Sequence, residues 1–106
     1  MKKFLFKASY TADGVEGLLK VGGTNRKQAV EQMIKDLGGK LEAFYFAFAD
    51  DHAYVTAEFP DETAMAAFAM TINASGFVFT SAIPLLTPEE IDQVTKVSVN
   101  YRTPGS

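Results

Sequence analysis

Two runs of alternating residues, Leu41–Phe48 and Ala53–Phe59, flank a short acidic turn and constrain the fold more than any other part of the chain. Alternation with a period of two is typical of β-strands, and so short a turn joins antiparallel neighbours. One face of the first strand is expected to carry Phe44, Phe46 and Phe48. Its other face would carry a second apolar set: Leu41, Ala43, Tyr45 and Ala47. Since both faces are apolar, we expect the sheet to be covered on both sides.

The other elements follow from similar patterns. They are a strand at Phe4–Tyr10, a helical arm from Val15 to Leu37 with a break at Gly22-Gly23, a helix at Glu62–Ala74, a strand at Phe77–Leu85 and a helix from Pro88 to about Lys96. Val97, Val99 and Tyr101 then alternate like an added edge strand, and residues 103–106 form a loose tail. The order β-α-β-β-α-β predicts a ferredoxin-like α+β fold with an antiparallel four-stranded sheet. We expect one domain over residues 1–106, ordered between 3 and 102.

The predicted sheet leaves one face without a cover inside the chain. Two helices can cover only one face of a four-stranded sheet. An exposed face of Phe and Tyr side chains would be a patch on the order of several hundred Å², large enough to mark an interface. We therefore expect a second copy packed sheet to sheet, as a dimeric α+β barrel, since symmetric homodimers are the commonest assemblies. Either Tyr45 or the phenylalanines of the same strand would lie in that interface.

Composition and charge exclude several classes of function. A net charge of -3 is unsuited to non-specific nucleic-acid binding, because phosphate neutralisation needs clustered Lys and Arg. The chain has no cysteine, which excludes disulfides, thiolate catalysis and cysteine-ligated metal centres. The run Phe4-Leu5-Phe6 is too short for a signal sequence or a membrane span. We therefore expect a cytoplasmic protein with neither nucleic acid nor membrane as a partner.

Four phrases of the sequence resemble one family of small proteins. They are SYTADGVEGLL, GGTNRKQAVEQMIKDLGGKLEAFYFAF, ASGFVFTSAIPLLTPEEID and the closing YRTPGS. Together they resemble the GYD domain family, small bacterial proteins placed among the dimeric α+β barrels, from about Phe4 to Ser106. The resemblance implies the fold and the sheet-to-sheet pairing, but no particular activity. The Gly-Tyr-Asp signature of that family is not kept, because Ala49, Asp51 and His52 stand in its place.

The acidic turn carries the only histidine of the chain, His52, directly after Asp50 and Asp51. One interpretation is a metal site or an acid–base group, because histidine titrates near neutrality and carboxylates can orient it. The other is a turn whose polar residues bond the local backbone. We favour the turn, since adjacent residues of a strand point to opposite faces and no second histidine is present. No metal and no cofactor is expected, and haem would need a better-placed axial histidine.

A small ligand could be held by polar residues of the sheet and of the helical arm. Tyr54 and Glu58 share one face of the predicted strand Ala53–Phe59, and with Tyr45 they could line a cavity. The alternative places Glu58 at an exposed edge, or in an ion pair with Lys7 or Arg26. Arg26 itself follows Gly22-Gly23-Thr24-Asn25 and could assist anion binding at a helix N-terminus, although the spacing of a P-loop is absent.

Two functions are consistent with these patterns. The first is a non-catalytic, self-associating domain that holds a small apolar or aromatic ligand. The second is an enzyme such as a cofactor-free monooxygenase or an isomerase acting on an aromatic compound, with His52, Tyr54 or Glu58 as base or ligand orienter. RNA recognition on sheet aromatics is rejected, because Ala57 stands where the RNP1 pattern requires an aromatic residue. We favour the first function, because no cluster of residues demands chemistry.

Overall fold

The chain folds into four strands and three helices, and the computed structural model describes all of residues 1–106. The elements are, in chain order, β1 (Lys2–Tyr10), α1 (Ala12–Asp36), β2 (Lys40–Phe46), β3 (Ala53–Phe59), α2 (Glu62–Ala74), β4 (Val78–Leu85) and α3 (Pro88–Val94). The strands form one antiparallel sheet in the order β2-β3-β1-β4. This arrangement confirms the ferredoxin-like α+β fold predicted from the sequence.

The core lies between one face of the sheet and the helices α1 and α2. Four rings meet there in tilted or edge-to-face contacts: Phe4, Phe6, Phe59 and Phe68. Ile34 of α1 is fully buried in the same cluster. Burial of each large apolar side chain contributes about 1.5–3 kcal/mol, so these residues decide which face the helices cover. We call the covered face the helix side and the opposite one the outer face.

Helix α1 is a kinked helix whose shape depends on glycine. Gly22 has a φ of 81° and a ψ of 167°, which a residue with a side chain rarely adopts, and it divides α1 into two halves. The predicted break at Gly22-Gly23 is therefore confirmed. The second half ends at Gly38, whose φ of 80° is the left-handed conformation of a helix C-cap. Because of the kink, the second half packs on the sheet while the first half runs in a different direction.

Strand β2 corrects the predicted division of its residues between the two faces. The pairing with β3 shifts between Leu41 and Ala43, so Glu42 is an extra residue, a β-bulge. Leu41 is consequently buried on the helix side, together with the half-buried Phe44. The prediction that Leu41 shares the face of Tyr45 is wrong, because a single inserted residue reverses the alternation.

The C-terminal residues extend away from this sheet. Thr87 caps α3 in a capping box with Glu90, yet no residue of α3 is buried. Val97, Val99 and Tyr101 are exposed and form no strand, so the added edge strand is absent from the single chain. The radius of gyration is 17.0 Å, whereas a compact chain of this length has about 13 Å. We call residues 87–102 the C-terminal arm.

Candidate functional site

The outer face of the sheet brings together two of the residues predicted to bind a ligand. Tyr45 of β2 lies opposite Tyr54 of β3, and Tyr54 in turn lies opposite Lys7 of β1. Tyr45 is exposed and Tyr54 is half-buried. These side chains therefore form a row across the outer face of the sheet.

Glu58 lies on the same face, near the far end of the strands. Its neighbours across the sheet are Lys3 on β1 and Lys40 on β2. The side chain of Lys3 donates to the bulge carboxylate of Glu42 at 3.0 Å, which together with Glu58 and Glu90 raises the pKa of Lys3 above its usual value. Glu58 is paired with neither of the partners considered from the sequence. Lys7 contacts Asp51 at 3.5 Å instead.

The acidic turn is bound to the backbone of β1. Nδ1 of His52 accepts a hydrogen bond of 2.9 Å from the backbone N–H of Tyr10, and the His52 N–H donates to the carbonyl of Ala8 at 2.7 Å. The hydroxyl of Ser9 donates to the carbonyl of Asp50 at 3.2 Å. His52 thus continues the hydrogen bonding between β1 and β3 beyond the last residue pair, which is the role of a turn residue bonding the local backbone.

The phenylalanines of β2 do not share one environment. Phe44 and Phe46 lie on the helix side, where their ring centroids are 5.0 Å apart. Phe48 lies beyond the end of β2 and is 86% exposed. Of the residues predicted for an interface, Tyr45 is therefore the one that the strand itself presents on the outer face.

A cleft of about 430 Å³ opens on the helix side, a size that suits a small organic molecule. It is lined by both halves of α1, by the end of α2 and by the start of β4. Its lining residues are Tyr10, Asp13, Gly14, Gly17, Leu18, Val21, Arg26, Met33, Thr71, Ile72, Ser75, Phe77 and Val78. Most of this lining is apolar or glycine. The cleft meets solvent where its exposed residues lie, among them Asp13 and Ser75.

The position of the cleft is fixed by the contact between α1 and the loop before β4. The N–H of Thr11 donates to the carbonyl of Phe77 at 2.9 Å, and the Thr11 hydroxyl donates to the carbonyl of Gly76 at 3.0 Å. A Cβ atom at Gly14 would overlap the Phe77 carbonyl oxygen, so only glycine allows this close approach. At Gly17, by contrast, a Cβ atom would meet nothing within 4 Å. Gly14 therefore closes one end of the cleft, and Gly17 leaves space within it.

Arg26 is the one predicted ligand-binding residue that lines this cleft. Its Nε donates to the hydroxyl oxygen of Tyr10 at 3.3 Å, and its Cζ lies 6.0 Å from the centre of the Tyr10 ring. The kink at Gly22 separates Arg26 from the first half of α1, and both halves face the cleft. Tyr45, Tyr54 and Glu58 are on the opposite side of the sheet. The predicted ligand-binding residues therefore do not form a single site.

The three weak catalytic candidates are also kept apart from the cleft. His52 is in the turn, Tyr54 and Glu58 are on the outer face, and none of them lines it. Asp13 is the only carboxylate in the lining. No three of the side chains that commonly bind metals are close enough together to hold an ion. None of the three helices has the length and apolarity needed to cross a membrane.

Sequence reasoning missed the cleft because its lining comes from two distant stretches of the chain, residues 10–33 and 71–78. Tyr10 and Phe77 are far apart in the chain and meet only in the folded sheet. Two features of the sequence could have indicated the cleft. One is Arg26, which follows the double glycine, and the other is the set of glycines in α1, which weaken a helix and so call for a structural reason. Those glycines have a reason in the structure, since Gly14 and Gly17 both face the cleft.

Comparison with known proteins gives one match. The model of the GYD domain matches residues 4–95, which is most of the chain. No curated protein matches the sequence. The match agrees with the resemblance read from the sequence and covers β1 from Phe4 onward, the other three strands and the whole cleft.

Proposed function

The chain belongs to the GYD domain family, and from this premise we propose that it is a non-catalytic, self-associating domain that holds a small apolar ligand. Two copies meet through the outer faces of their sheets. The ligand is held on the helix side, in the cleft of each copy. The observation that carries the self-association is the composition of the outer face, which mixes exposed aromatic and aliphatic residues with balanced charges. A cytoplasmic location and a bacterial origin remain predictions from the sequence.

The outer face has apolar or aromatic side chains on all four strands. Along its middle row, Leu5 of β1 lies opposite Thr56 of β3 on one side and Ile83 of β4 on the other. Tyr45 on the edge strand β2 is 71% exposed, and Phe79 on the opposite edge strand β4 is 57% exposed. Contiguous exposed apolar residues with a polar rim are typical of protein–protein contacts.

The charges of the outer face suit a second copy of the same chain. They are Lys3, Lys7 and Lys40 against Glu42, Asp51 and Glu58. A two-fold interface brings the same surface together twice, so a face with an excess of one sign would repel itself. The equal numbers of both signs remove that repulsion.

The area of the outer face is too small for a stable dimer by itself, and the C-terminal arm can supply the rest. Four strands about 4.8 Å apart and about 24 Å long present on the order of 450 Å², whereas a stable interface buries about 800 Å² on each partner. The arm begins close to the outer face, since Leu85, two residues before its start, lies opposite Lys3 of that face. Its exposed Val97, Val99 and Tyr101 have no partner surface within their own chain. In the dimer these residues cover the second copy.

Self-association is tested by light scattering over a falling concentration series, with a charged substitution in the middle row. Ile83→Glu introduces a charge at a side chain that is 39% exposed in the monomer, so the fold tolerates it. In the dimer the charge is buried without a partner. We therefore expect the dissociation constant of the dimer to increase by about a hundredfold or more. Leu19→Glu is the matched control, because Leu19 is 81% exposed on α1 and away from the sheet. A wild-type monomer at every concentration, or an Ile83→Glu dimer as strong as the control, would overturn the proposal.

The enzyme alternative has no comparable support. A base or a nucleophile would have to reach a bound ligand, and the cleft contains no histidine. Thr71 and Ser75 line it, but neither hydroxyl is hydrogen-bonded to Asp13, the one carboxylate of the lining, and the Ser75 hydroxyl is bonded to the backbone of Ile72 and Phe77. We therefore propose binding without catalysis.

A further inference from the structure

We propose that the ligand of the helix-side cleft is a small apolar carboxylic acid, whose carboxylate is bound by Arg26. This inference rests on the proposed ligand-binding role of the cleft. It is independent of self-association, because the cleft and the outer face are on opposite sides of the sheet. It specifies the chemistry of the bound molecule: one negative group at one end and an apolar body.

The first argument is that the charge of Arg26 has no partner within the chain. The chain has three ion pairs, Lys2–Glu62, Lys3–Glu42 and Lys7–Asp51, and Arg26 is in none of them. Its only hydrogen bond uses Nε, so the two terminal nitrogens, Nη1 and Nη2, make none. Arginine is suited to bind carboxylates through two parallel hydrogen bonds, which require a pair of free N–H groups. A half-buried guanidinium with this pair free is complementary to a carboxylate.

The second argument is that Arg26 is held in position before any ligand arrives. The Tyr10 hydroxyl accepts from Nε, and the face of the Tyr10 ring lies near the guanidinium. Tyr10 is itself fixed as the last residue of β1, and its backbone N–H is bound by His52. An arginine with a fixed side chain loses less conformational freedom on binding, which increases affinity.

The third argument concerns the walls, which exclude more polar ligands. Leu18, Ile72, Phe77 and Val78 provide an apolar surface, and Gly17 leaves the space of a missing side chain. A sugar needs hydrogen-bonding groups on every side of its body, whereas most of this lining is apolar or glycine. A phosphate ester would bring about two negative charges to a single cation. A monoanion with an apolar body matches both the walls and the single guanidinium.

Asp13 is the one lining residue that opposes a carboxylate. It lies exposed in the first turn of α1, where solvent screens its charge, whereas Arg26 is half-buried. An amino acid could use Asp13 for its ammonium group and Arg26 for its carboxylate. The two ligand classes predict opposite effects of an Asp13→Asn substitution, so the experiment separates them.

The test uses two probes of nearly the same shape, 1-naphthylacetate, which is an anion, and 1-naphthylacetamide, which is neutral, with binding measured by calorimetry on the full chain. We expect the acid to bind at least about tenfold more tightly than the amide, since a hydrogen bond to a charged group is worth about that factor. Arg26→Gln should remove this preference while leaving the amide affinity unchanged. Asp13→Asn should strengthen binding of the acid. A Cβ atom at Gly17 meets nothing within 4 Å, so the larger side chain of Gly17→Leu should occupy the cleft and abolish binding of both probes.

The outcomes separate the two proposals. Equal affinity for acid and amide, or an acid affinity unaffected by Arg26→Gln, overturns the carboxylate inference while Gly17→Leu still reports on the cleft. Binding of neither probe, or binding that persists in Gly17→Leu, overturns the ligand-binding role together with the inference. A phenylalanine probe that outcompetes the acid and weakens with Asp13→Asn also overturns it, in favour of an amino acid. Circular dichroism of each variant confirms that the fold is kept.

Discussion

The hydrogen bond between His52 and Tyr10 can be measured with a matched pair of substitutions. Nδ1 of His52 accepts from the Tyr10 N–H at 2.9 Å, at the end of the β1–β3 pairing. Asparagine places its Oδ1 at the same number of bonds from the backbone, so His52→Asn retains an acceptor. His52→Ala removes both the acceptor and the ring. The two variants therefore differ by the hydrogen bond and little else.

The expected magnitude follows from the burial of the Tyr10 amide. A half-buried N–H left without an acceptor costs about 1–2 kcal/mol, between the values for exposed and fully buried groups. His52→Ala should lower the free energy of unfolding by that amount relative to His52→Asn. Each kcal/mol corresponds to about 4–8 °C in Tm for a domain of roughly this size. His52→Asp also supplies an oxygen acceptor, so we expect it to fold and assemble like the wild type.

Urea unfolding of the three variants measures the difference, and amide hydrogen exchange locates it. In His52→Ala the Tyr10 amide should exchange faster, whereas in His52→Asn it should stay protected. Equal destabilisation by Ala and Asn would show that the ring, through its contacts, matters more than the acceptor. A Tyr10 amide that stays protected in His52→Ala would refute the hydrogen-bond assignment directly.

Two further predictions concern α1 and α3. Gly14→Ala should destabilise the fold by about 1–3 kcal/mol in urea unfolding, because the new methyl group overlaps the Phe77 carbonyl. Gly17→Ala, where the methyl group has space, should be neutral or stabilising by up to about 1 kcal/mol, and equal losses at both positions would contradict the reasoning. Hydrogen bonds from Thr87 hold the pKa of Glu90 below its usual value of 4.5. Above pH 4.5 the ionised carboxylate therefore stabilises the start of α3. This contribution is lost as the pH falls through the lowered pKa. A carbon-13 titration of the Glu90 carboxyl should give a midpoint below 4.5, and a midpoint at or above it would contradict the capping geometry.

The sequence predicts elements well where local signals mark their ends. The bounds of β3 and α2 are predicted to the residue, because Pro60 and Asp61 separate them and Gly76 follows α2. The faces of β2 are predicted wrongly for Leu41, because a β-bulge at Glu42 depends on pairing with β3 and leaves no local mark.

The candidate site was less predictable than the fold. The lone histidine suggested chemistry, yet it serves the backbone of Tyr10. Arg26 was identified as a ligand residue, but the predicted partners Tyr54 and Glu58 lie behind the sheet. A cleft formed by the ends of separate elements depends on tertiary packing, which residue patterns along one element do not report.

The position of β1 in the sheet has a consequence for synthesis of the protein on the ribosome. The first strand to emerge is a central one, and its partners are β3 and β4, whose last paired residues are Phe59 and Leu85. Until β4 has been made, β1 therefore has unpaired backbone groups on at least one side. The sheet gains its fourth strand only when β4 emerges, so β1 is open to wrong pairing until then, and truncated products that lack β4 should aggregate more readily than the folded domain.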